Sequence, residues 1–448
     1  MRLSSSFTPP ASLRAPAYNR TAAIAGHLHF GVGAFHRAHQ AVYADDALNA
    51  GDDAAAIIGI AMRSRQVLEA VNQQDGLFTV TERTGPDWST RLIGSLKTVL
   101  SAAEDPHGVA AAAAAPAVRV VTLTLTEKGY QKDPAGRPPA VCAILAETFS
   151  LRKEKGRSGL TLISCDNLAE NGTKLRTLIS TYLEAHRPDL ASWFERECAC
   201  PNSMVDRIVP APTERDLEAA AARLGVRDEG AVLTEPFRQW VVESRFAGPR
   251  PRWDAGGAQF VDDVRPFETA KLRMLNGAHS ALAYLGLNRG YAFVHEAIAD
   301  PDLMALTRTL MLHEAAASFE PAQGQDLHAY AESLIARFKN VALEHRLSQI
   351  AADGSQKAPQ RWFATLSARQ AAGAACPALV AAVAAWMKHL RGDNGPITDP
   401  RGDELAAILT KAGAHDAARA FFGDGGVFAG DWRAAPEALD TITGALLR

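Results

Sequence analysis

Between Phe267 and His279 the chain reads Phe-Glu-Thr-Ala-Lys271-Leu-Arg-Met-Leu-Asn276-Gly-Ala-His279, a helix-like segment. At about 100° per residue, an α-helix would point Lys271, Asn276 and His279 to about 0°, 140° and 80°, within one half of its circumference. Asn276 and His279 are i, i+3 neighbours. An amine, an amide and an imidazole sharing one face can take, hold and pass a proton. Plainer readings exist for each. The lysine could be solvated, Asn276-Gly277 could cap and end the helix, and the histidine could be satisfied in a core.

Elements able to position such groups follow from hydrophobic patterning. Over residues 1–264, short apolar runs at His27–Phe30, Ala56–Ile60, Val118–Leu125 and Leu160–Ser164 predict buried strands. Helical patterns lie between them, including His39–Leu48 and Arg65–Asn72. The alanine run Ala110–Ala115 predicts a helix stopped at Pro116. This alternation predicts an α/β fold: a Rossmann-like, doubly wound, mostly parallel sheet with helices on both faces. The stretch from Ala247 to Gly257 turns rich in Gly and Pro, and strand signals then nearly vanish. Leu303–Ala316, Leu327–Lys339, Ala378–Leu390 and Glu404–Lys411 read as helices, so residues 265–448 are expected to form a mainly α-helical domain.

Composition agrees with two globular domains. The chain has 448 residues, 47% hydrophobic and 22% charged. A net charge of -3 gives no reason to expect nucleic acid or an acidic membrane surface as partner. No run approaches the roughly 20 apolar residues that span a bilayer, and the N-terminus lacks a secretory h-region. The five scattered cysteines fit reduced thiols in a cytoplasm. Only Cys198-Ala-Cys200 is a close pair, with no second pair to complete a zinc site, so no metal is expected.

The first predicted strand runs into Gly31-Val-Gly33-Ala-Phe35-His36-Arg37. Strand, Gly-x-Gly, then helix is the start of a dinucleotide-binding turn. Gly31 would permit the tight turn and Gly33 would let a pyrophosphate approach the backbone. His36 stands where the usual third glycine would be, and any tight strand-to-helix turn is the competing reading. Arg37 would either neutralise phosphate or be a solvated helix residue. The second strand ends in Gly59-Ile-Ala-Met-Arg63-Ser-Arg65, with no acid for an adenosine 2′-hydroxyl. Two arginines there would suit a 2′-phosphate, which keeps NADP open beside NAD.

Further polar clusters follow later strands: Glu127-Lys128-Gly129-Tyr130, Ser164-Cys-Asp-Asn167, Met204-Val-Asp206-Arg207-Ile208, Thr234-Glu235-Pro-Phe-Arg238-Gln-Trp240 and Asp353-Gly-Ser-Gln-Lys357-Ala-Pro-Gln-Arg361. With the Gly31 turn and the Lys271–His279 segment, these blocks resemble the mannitol dehydrogenase family of polyol-specific long-chain dehydrogenases, over roughly residues 27–362. The resemblance implies a Rossmann domain plus a helical domain, no catalytic metal, and Lys271 as general base. It also implies Asn167 and Asn276 as donors to the reacting oxygen. His279 would orient the substrate or the lysine, Glu127 would pass the proton to solvent, and Asp206 would hold substrate hydroxyls. Gly31, Gly33, Phe35, Arg37 and Arg63 are the cofactor candidates. Within the family, Glu127-Lys128-Gly129-Tyr130 and Asp353–Arg361 resemble the branch acting on hexuronates (D-fructuronate reductases, also called D-mannonate oxidoreductases). A uronate carries a carboxylate, so cations at Lys128, Lys357 and Arg361 make physical sense.

The expected reaction interconverts a secondary alcohol and a ketone. A free lysine, with a pKa of about 10.4, is a poor base at neutral pH. Burial and a cationic nicotinamide ring would bring it toward the working pH. The expected partner is a small sugar acid or polyol, and the protein a monomer or small homo-oligomer. Rival readings are a neutral polyol dehydrogenase such as a mannitol 2-dehydrogenase, a phosphosugar dehydrogenase, and a non-catalytic nucleotide sensor.

Overall fold

The computed structural model describes residues 2–11, 13–211 and 213–448, without the side chains of Glu127 and Lys128. The proton-relay role expected of Glu127 and the substrate role expected of Lys128 therefore lie outside the described residues. The chain divides into two compact units, Met1–Val264 and Arg265–Arg448.

The first unit is built on β1 (His27–Phe30), β2 (Ile57–Ala61), β3 (Phe78–Thr84), β4 (Asp87–Ile93), β5 (Leu96–Ser101), β6 (Val120–Leu123) and β7 (Thr161–Ser164). The central sheet has the order β5-β2-β1-β6-β7, and every pairing in it is parallel. The chain winds outward from β1 to β2 and β5, then returns to β6 and β7. The strand order thus reverses between β1 and β6, the switch point where doubly wound sheets open a ligand crevice.

Continuous apolar runs suit these strands because both faces are covered. Val121, Leu123 and Leu162 join Leu28 and Phe30 in one core, beneath the helices Ala140–Glu154 and Asn171–His186. Their neighbours Val120 and Ile163 enter a second core with Tyr43, Ala47 and Leu48 of the helix Gln40–Asn49. Each fully buried side chain of this kind contributes roughly 1.5–3 kcal/mol before entropy is counted.

Strand β1 alternates those apolar residues with His27 and His29, both buried. Thr122 of β6, in register with His29, answers them. His27 Nε2 and His29 Nδ1 each lie 2.6 Å from Thr122 Oγ1. His36 stacks flat on His29, with ring centroids 3.5 Å apart. Burial disfavours the charged form of all three imidazoles, taking His27 down to about 3 and the others well below the ordinary value.

The alanine-rich helix is Pro106–Ala113, capped by Asp105, which accepts from Gly108 N at 2.8 Å. Two small sheets go beyond the expected architecture. One has the order β4-β3-β9, with β9 at Val232–Thr234; the other is β11-β10-β8, formed by β8 (Ser203–Asp206), β10 (Gln239–Glu243) and β11 (Gln259–Val261).

The second unit is helical. Among its described residues the only β pairing is an isolated bridge between Phe293 and Arg346. Its core gathers Met274, Leu282, Trp362, Phe363, Trp386, Phe421 and Phe422. Helices occupy Leu327–Phe338 and Pro377–Leu390. The segment expected at Glu404–Lys411 is the start of Gly402–Phe422, which breaks at Gly413 with φ 66°. The expected helix Leu303–Ala316 is α-helical over Pro301–Thr309 and then becomes a π turn over Leu310–Ala315. Two further π turns span Lys271–Asn276 and Pro359–Phe363. No helix among the described residues is long and apolar enough to cross a membrane.

Candidate active site

The helix that opens the second unit is continuous through the Lys271 segment, but it is not α-helical there. Arg265–Ala270 leads into the π turn Lys271–Asn276, and Gly277–Asn288 continues as α-helix. Gly277 N–H donates to Leu272 O, five residues back. This corrects the expected angles. A π turn bonds i to i+5 and takes more residues per turn than an α-helix, so Lys271 and Asn276 lie closer to one face than the roughly 140° of an α-helix. Gly277 has helical dihedrals (φ -63°, ψ -50°), so Asn276-Gly277 does not end the helix. Met274, Leu275, Gly277 and Ala278 face the core, while Lys271, Asn276 and His279 keep part of their surface accessible.

A second π turn braces the first. Proline has no N–H to give the helical ladder, and Pro359 opens the turn Pro359–Phe363. Trp362 Nε1 donates to Gly277 O at 3.0 Å, and Arg361 Nη1 donates to Ser280 Oγ at 2.7 Å. A Cβ on Gly277 would lie 3.2 Å from Arg361 O, so a side chain there would press the two turns apart. Arg361 is thereby fixed beside the His279 turn.

The surroundings of His279 are cationic. Its ring stacks on Phe338 with centroids 5.4 Å apart and lies 5.2 Å from His345. Burial holds its imidazole well below the ordinary value, and His345, Arg361, Arg337 and Lys357 push the same way. Lys357 is likewise lowered, by burial first and then by Arg361, with Asp353 and Asp399 opposing. Its ammonium donates to Ala352 O at 2.6 Å and to Ile350 O at 3.4 Å. Of the expected substrate contacts here, Lys357 is thus partly spent on backbone, whereas Arg361 is half-buried in the cluster. Arg337 and His345 belong to the same cluster, and sequence reasoning does not find them. They stand 58 and 66 residues beyond His279 in a sequence that offers no motif around them.

In the first unit, the turn after β1 has the shape a dinucleotide requires. Gly31 adopts φ +100°, and a Cβ on it would fall 2.3 Å from Thr124 O. Only glycine fits. Gly33 has an ordinary φ of -75°, and the nearest atom to a Cβ there would be Gly31 O at 4.0 Å. Its glycine leaves open space on the exposed side of the turn, a cradle that a pyrophosphate would fill. Phe35 stacks on His39, with centroids 5.0 Å apart.

Arg37 corrects an expectation. It is buried, with Nη1 donating to Val32 O at 2.9 Å and Nε to Gly230 O at 3.2 Å. Burial lowers it to about 10. Its guanidinium pins the turn from beneath instead of facing a phosphate. Arg63, by contrast, is exposed after β2 and lines a cleft of about 1000 Å³ together with Gly31.

Asn167 is exposed just beyond β7. Two buried residues that were not singled out shape its loop. Asp166 accepts from Thr126 N at 2.8 Å, Leu125 N at 3.2 Å and Tyr130 Oη at 2.8 Å. It thereby holds Thr126 in a left-handed conformation, φ 63°. Asn171 donates to Asp166 O at 3.1 Å and to Ser203 O at 2.8 Å. Asp206 is buried at the end of β8. Its neighbour Arg207 pairs with Glu82 at 2.5 Å and donates to Glu235 O at 2.9 Å. Among the described residues no group of three His, Cys, Asp or Glu side chains is arranged to hold a metal ion.

Comparison with known proteins meets this geometry. Residues 25–255 match the mannitol dehydrogenase Rossmann domain, and residues 263–448 match the mannitol dehydrogenase C-terminal domain. The D-mannonate oxidoreductase of Escherichia coli (strain K12) is 38% identical over 445 residues, covering 93% of this chain and 92% of that protein. The structure of a D-sorbitol dehydrogenase in substrate-free form superposes with a TM-score of 0.90 at 30% identity, covering 99% of this chain and 97% of that one. The Pseudomonas fluorescens mannitol 2-dehydrogenase, solved as a ternary complex with NAD and D-mannitol, gives a TM-score of 0.78 at 32% identity, covering 100% and 96%. With both domains matched and these relatives aligned over nearly their whole length, the chain belongs to the mannitol dehydrogenase family, whose members are oxidoreductases acting on secondary alcohols.

Proposed function

We propose that this enzyme interconverts the ketone and secondary alcohol of a sugar acid, D-fructuronate and D-mannonate, with Lys271 as general acid–base. The observation that carries the choice of an acid is the cationic setting of His279. Arg361 is anchored to Ser280, the residue after His279, with Nη1 2.7 Å from its Oγ, and His345 lies 5.2 Å from the His279 ring; Arg337 and Lys357 add charge nearby, that of Lys357 offset by Asp353 at 3.9 Å. A planar guanidinium such as that of Arg361 suits a carboxylate. The 38% identity to a D-mannonate oxidoreductase points the same way.

When bound, a nicotinamide dinucleotide supplies or accepts the hydride at the carbon that changes oxidation state. The residues of the chain manage the oxygen. In reduction, Lys271 Nζ gives a proton to the carbonyl oxygen; in oxidation it takes the hydroxyl proton. Asn276, one π turn from Lys271, and Asn167 donate hydrogen bonds to that oxygen as negative charge grows on it. His279 remains neutral and orients substrate by hydrogen bonding. Asp206 accepts from substrate hydroxyls.

The likeness to structures of a sorbitol and a mannitol dehydrogenase favours a second reading, a neutral polyol substrate. Initial rates on D-fructuronate and D-fructose, with NADH and NADPH in parallel, separate the two. Faster turnover of the ketouronate is expected, and a strong preference for fructose would overturn the choice of an acid.

A further inference from the structure

The carbonyl of Gly31 is gripped from inside the core. A glycine at φ +100° permits the turn but does not enforce it, because without a Cβ its following peptide plane is free to rotate. The amide side is fixed by Gly31 N–H, which donates to Ile60 O at 2.9 Å. On the carbonyl side, Gly31 O accepts from Gly33 N–H at 2.7 Å and from Thr124 Oγ1 at 2.8 Å. His29, two residues earlier on β1 and fully buried, places Nε2 3.1 Å from the same oxygen and 3.1 Å from Thr124 Oγ1.

The proton positions follow from what each atom can do. A carbonyl only accepts, so His29 Nε2 must carry the hydrogen that bonds Gly31 O. In a neutral imidazole Nδ1 is then an acceptor, and the Thr122 hydroxyl, 2.6 Å away, donates to it. With its one hydrogen spent, Thr122 Oγ1 accepts from His27 Nε2, also at 2.6 Å. A one-way chain thus runs from His27 through Thr122 and His29 to Gly31 O. His36, in the short helix Ala34–Ala38 that follows the turn, lies flat on the His29 ring with planes 11° apart and holds its orientation. Stability does not call for such a chain. Replacing all partners of a buried hydrogen-bonded set by apolar groups of the same shape can be nearly neutral, and Leu28 and Phe30 of the same strand are apolar.

Across a trans peptide, C=O and N–H point in opposite directions. Drawing Gly31 O inward therefore turns the Val32 N–H outward, away from His29 and Thr124. We propose that His29 is a positioning residue for the dinucleotide: its Nε2–H fixes the Gly31–Val32 peptide plane, so that the Val32 N–H is presented to the pyrophosphate. The proposal rests on the reading that a dinucleotide lies against the Gly31 turn, and not on the choice of substrate. Thr124 shares the carbonyl, but a hydroxyl hydrogen rotates to suit its neighbours, whereas the His29 ring is held by Thr122 and His36.

The test is calorimetric titration of the full-length protein with NAD+, beside thermal unfolding of each apoprotein. Gln and Asn side chains place their amides near where a histidine has Nε2 and Nδ1. His29→Gln should bind NAD+ within threefold of wild type, since its amide still reaches Gly31 O. His29→Asn, whose amide reaches Thr122 but not Gly31 O, and His29→Phe, which keeps a ring without a donor, should bind roughly tenfold more weakly, the loss that follows from one hydrogen bond. A merely structural residue would lower the melting temperature and leave the affinity of the folded protein unmoved. Wild-type affinity in a folded His29→Phe, or equal losses in His29→Gln and His29→Asn, overturns the proposal. Should these variants not fold, heteronuclear NMR of the histidine side chains in the wild-type protein decides. The proton of His29 is expected on Nε2, and a proton on Nδ1 overturns the proposal. Failure of the wild type to bind NAD+ would instead overturn the dinucleotide reading on which it rests.

Discussion

Gly31 and Gly33 are two residues apart, yet substituting each by alanine should have opposite consequences. At Gly31 the backbone is left-handed, and a methyl group would overlap Thr124 O. An L-residue in that conformation costs roughly 1–2 kcal/mol, and forcing an extra carbon into a filled space costs about 1–3 kcal/mol more. The sum, about 2–5 kcal/mol, corresponds to a fall in the unfolding midpoint of roughly 4–20 °C for a domain of this size. At Gly33 the dihedrals suit any residue and the space is open. Alanine there should leave stability unchanged or raise it by about 0.4–1 kcal/mol, through the lower entropy of the unfolded chain. The open space is where the pyrophosphate is proposed to lie, so the same methyl group should weaken cofactor binding at least tenfold. Thermal unfolding of the apoprotein and calorimetric titration with NAD+ and NADP+ read the two effects separately. The reasoning is refuted if Gly31→Ala melts with the wild type, or if Gly33→Ala binds both dinucleotides with wild-type affinity.

Other outcomes follow from the second unit and the buried imidazoles. Asn276→Ala should lower kcat about 100-fold, the loss expected of one donor to a developing oxyanion at about 3 kcal/mol, with cofactor affinity unchanged; a change of less than threefold would remove it from that role. Arg361→Ala should raise KM for a ketouronate roughly 10–100-fold, since a hydrogen bond to a charged group contributes about 1.5–3 kcal/mol, while KM for a neutral ketose moves little; equal changes for both would contradict an acid subsite. Acid should destabilise the first unit. His27, His29 and His36 are held below their ordinary value when folded, so their stabilising effect is complete above the unfolded-state value of about 6.5 and is lost as pH falls below it. Each contributes about 1.4 kcal/mol per pH unit in that range. For His27 the loss continues down to its folded value of about 3. Urea midpoints measured from pH 7.5 to 5.5 should fall steeply below 6.5, and a flat profile would contradict neutral buried imidazoles.

The parallel strands were legible because burial on both faces leaves uninterrupted apolar runs, and β1, β6 and β7 appear where those runs lie. The paired strands β3 and β4 were not. Phe78–Thr84 and Asp87–Ile93 mix threonines and charges with apolar residues because half of their length is solvent-facing, and that pattern also describes a loop. In the second unit, helix positions could be read from periodicity, but the π turn at Lys271–Asn276 could not. Over six residues an apolar pattern does not distinguish five-residue from four-residue hydrogen bonding, and this difference decides whether Lys271 and Asn276 align. The role of Arg37 is not legible, because sequence shows a cation beside a glycine turn but not that its guanidinium points inward to Val32 O and Gly230 O. Arg337 and His345 join His279 only through tertiary packing.

The central claim is that Lys271 moves the proton of the reacting oxygen. Lys271→Ala, assayed in single turnover on a ketouronate with reduced cofactor and in parallel by calorimetric cofactor titration, tests it most directly. A positioned acid–base group is worth about 100- to 10,000-fold in rate. The account predicts a loss of that size in the variant with dinucleotide affinity retained. Turnover within tenfold of wild type, with the cofactor still bound, would contradict it.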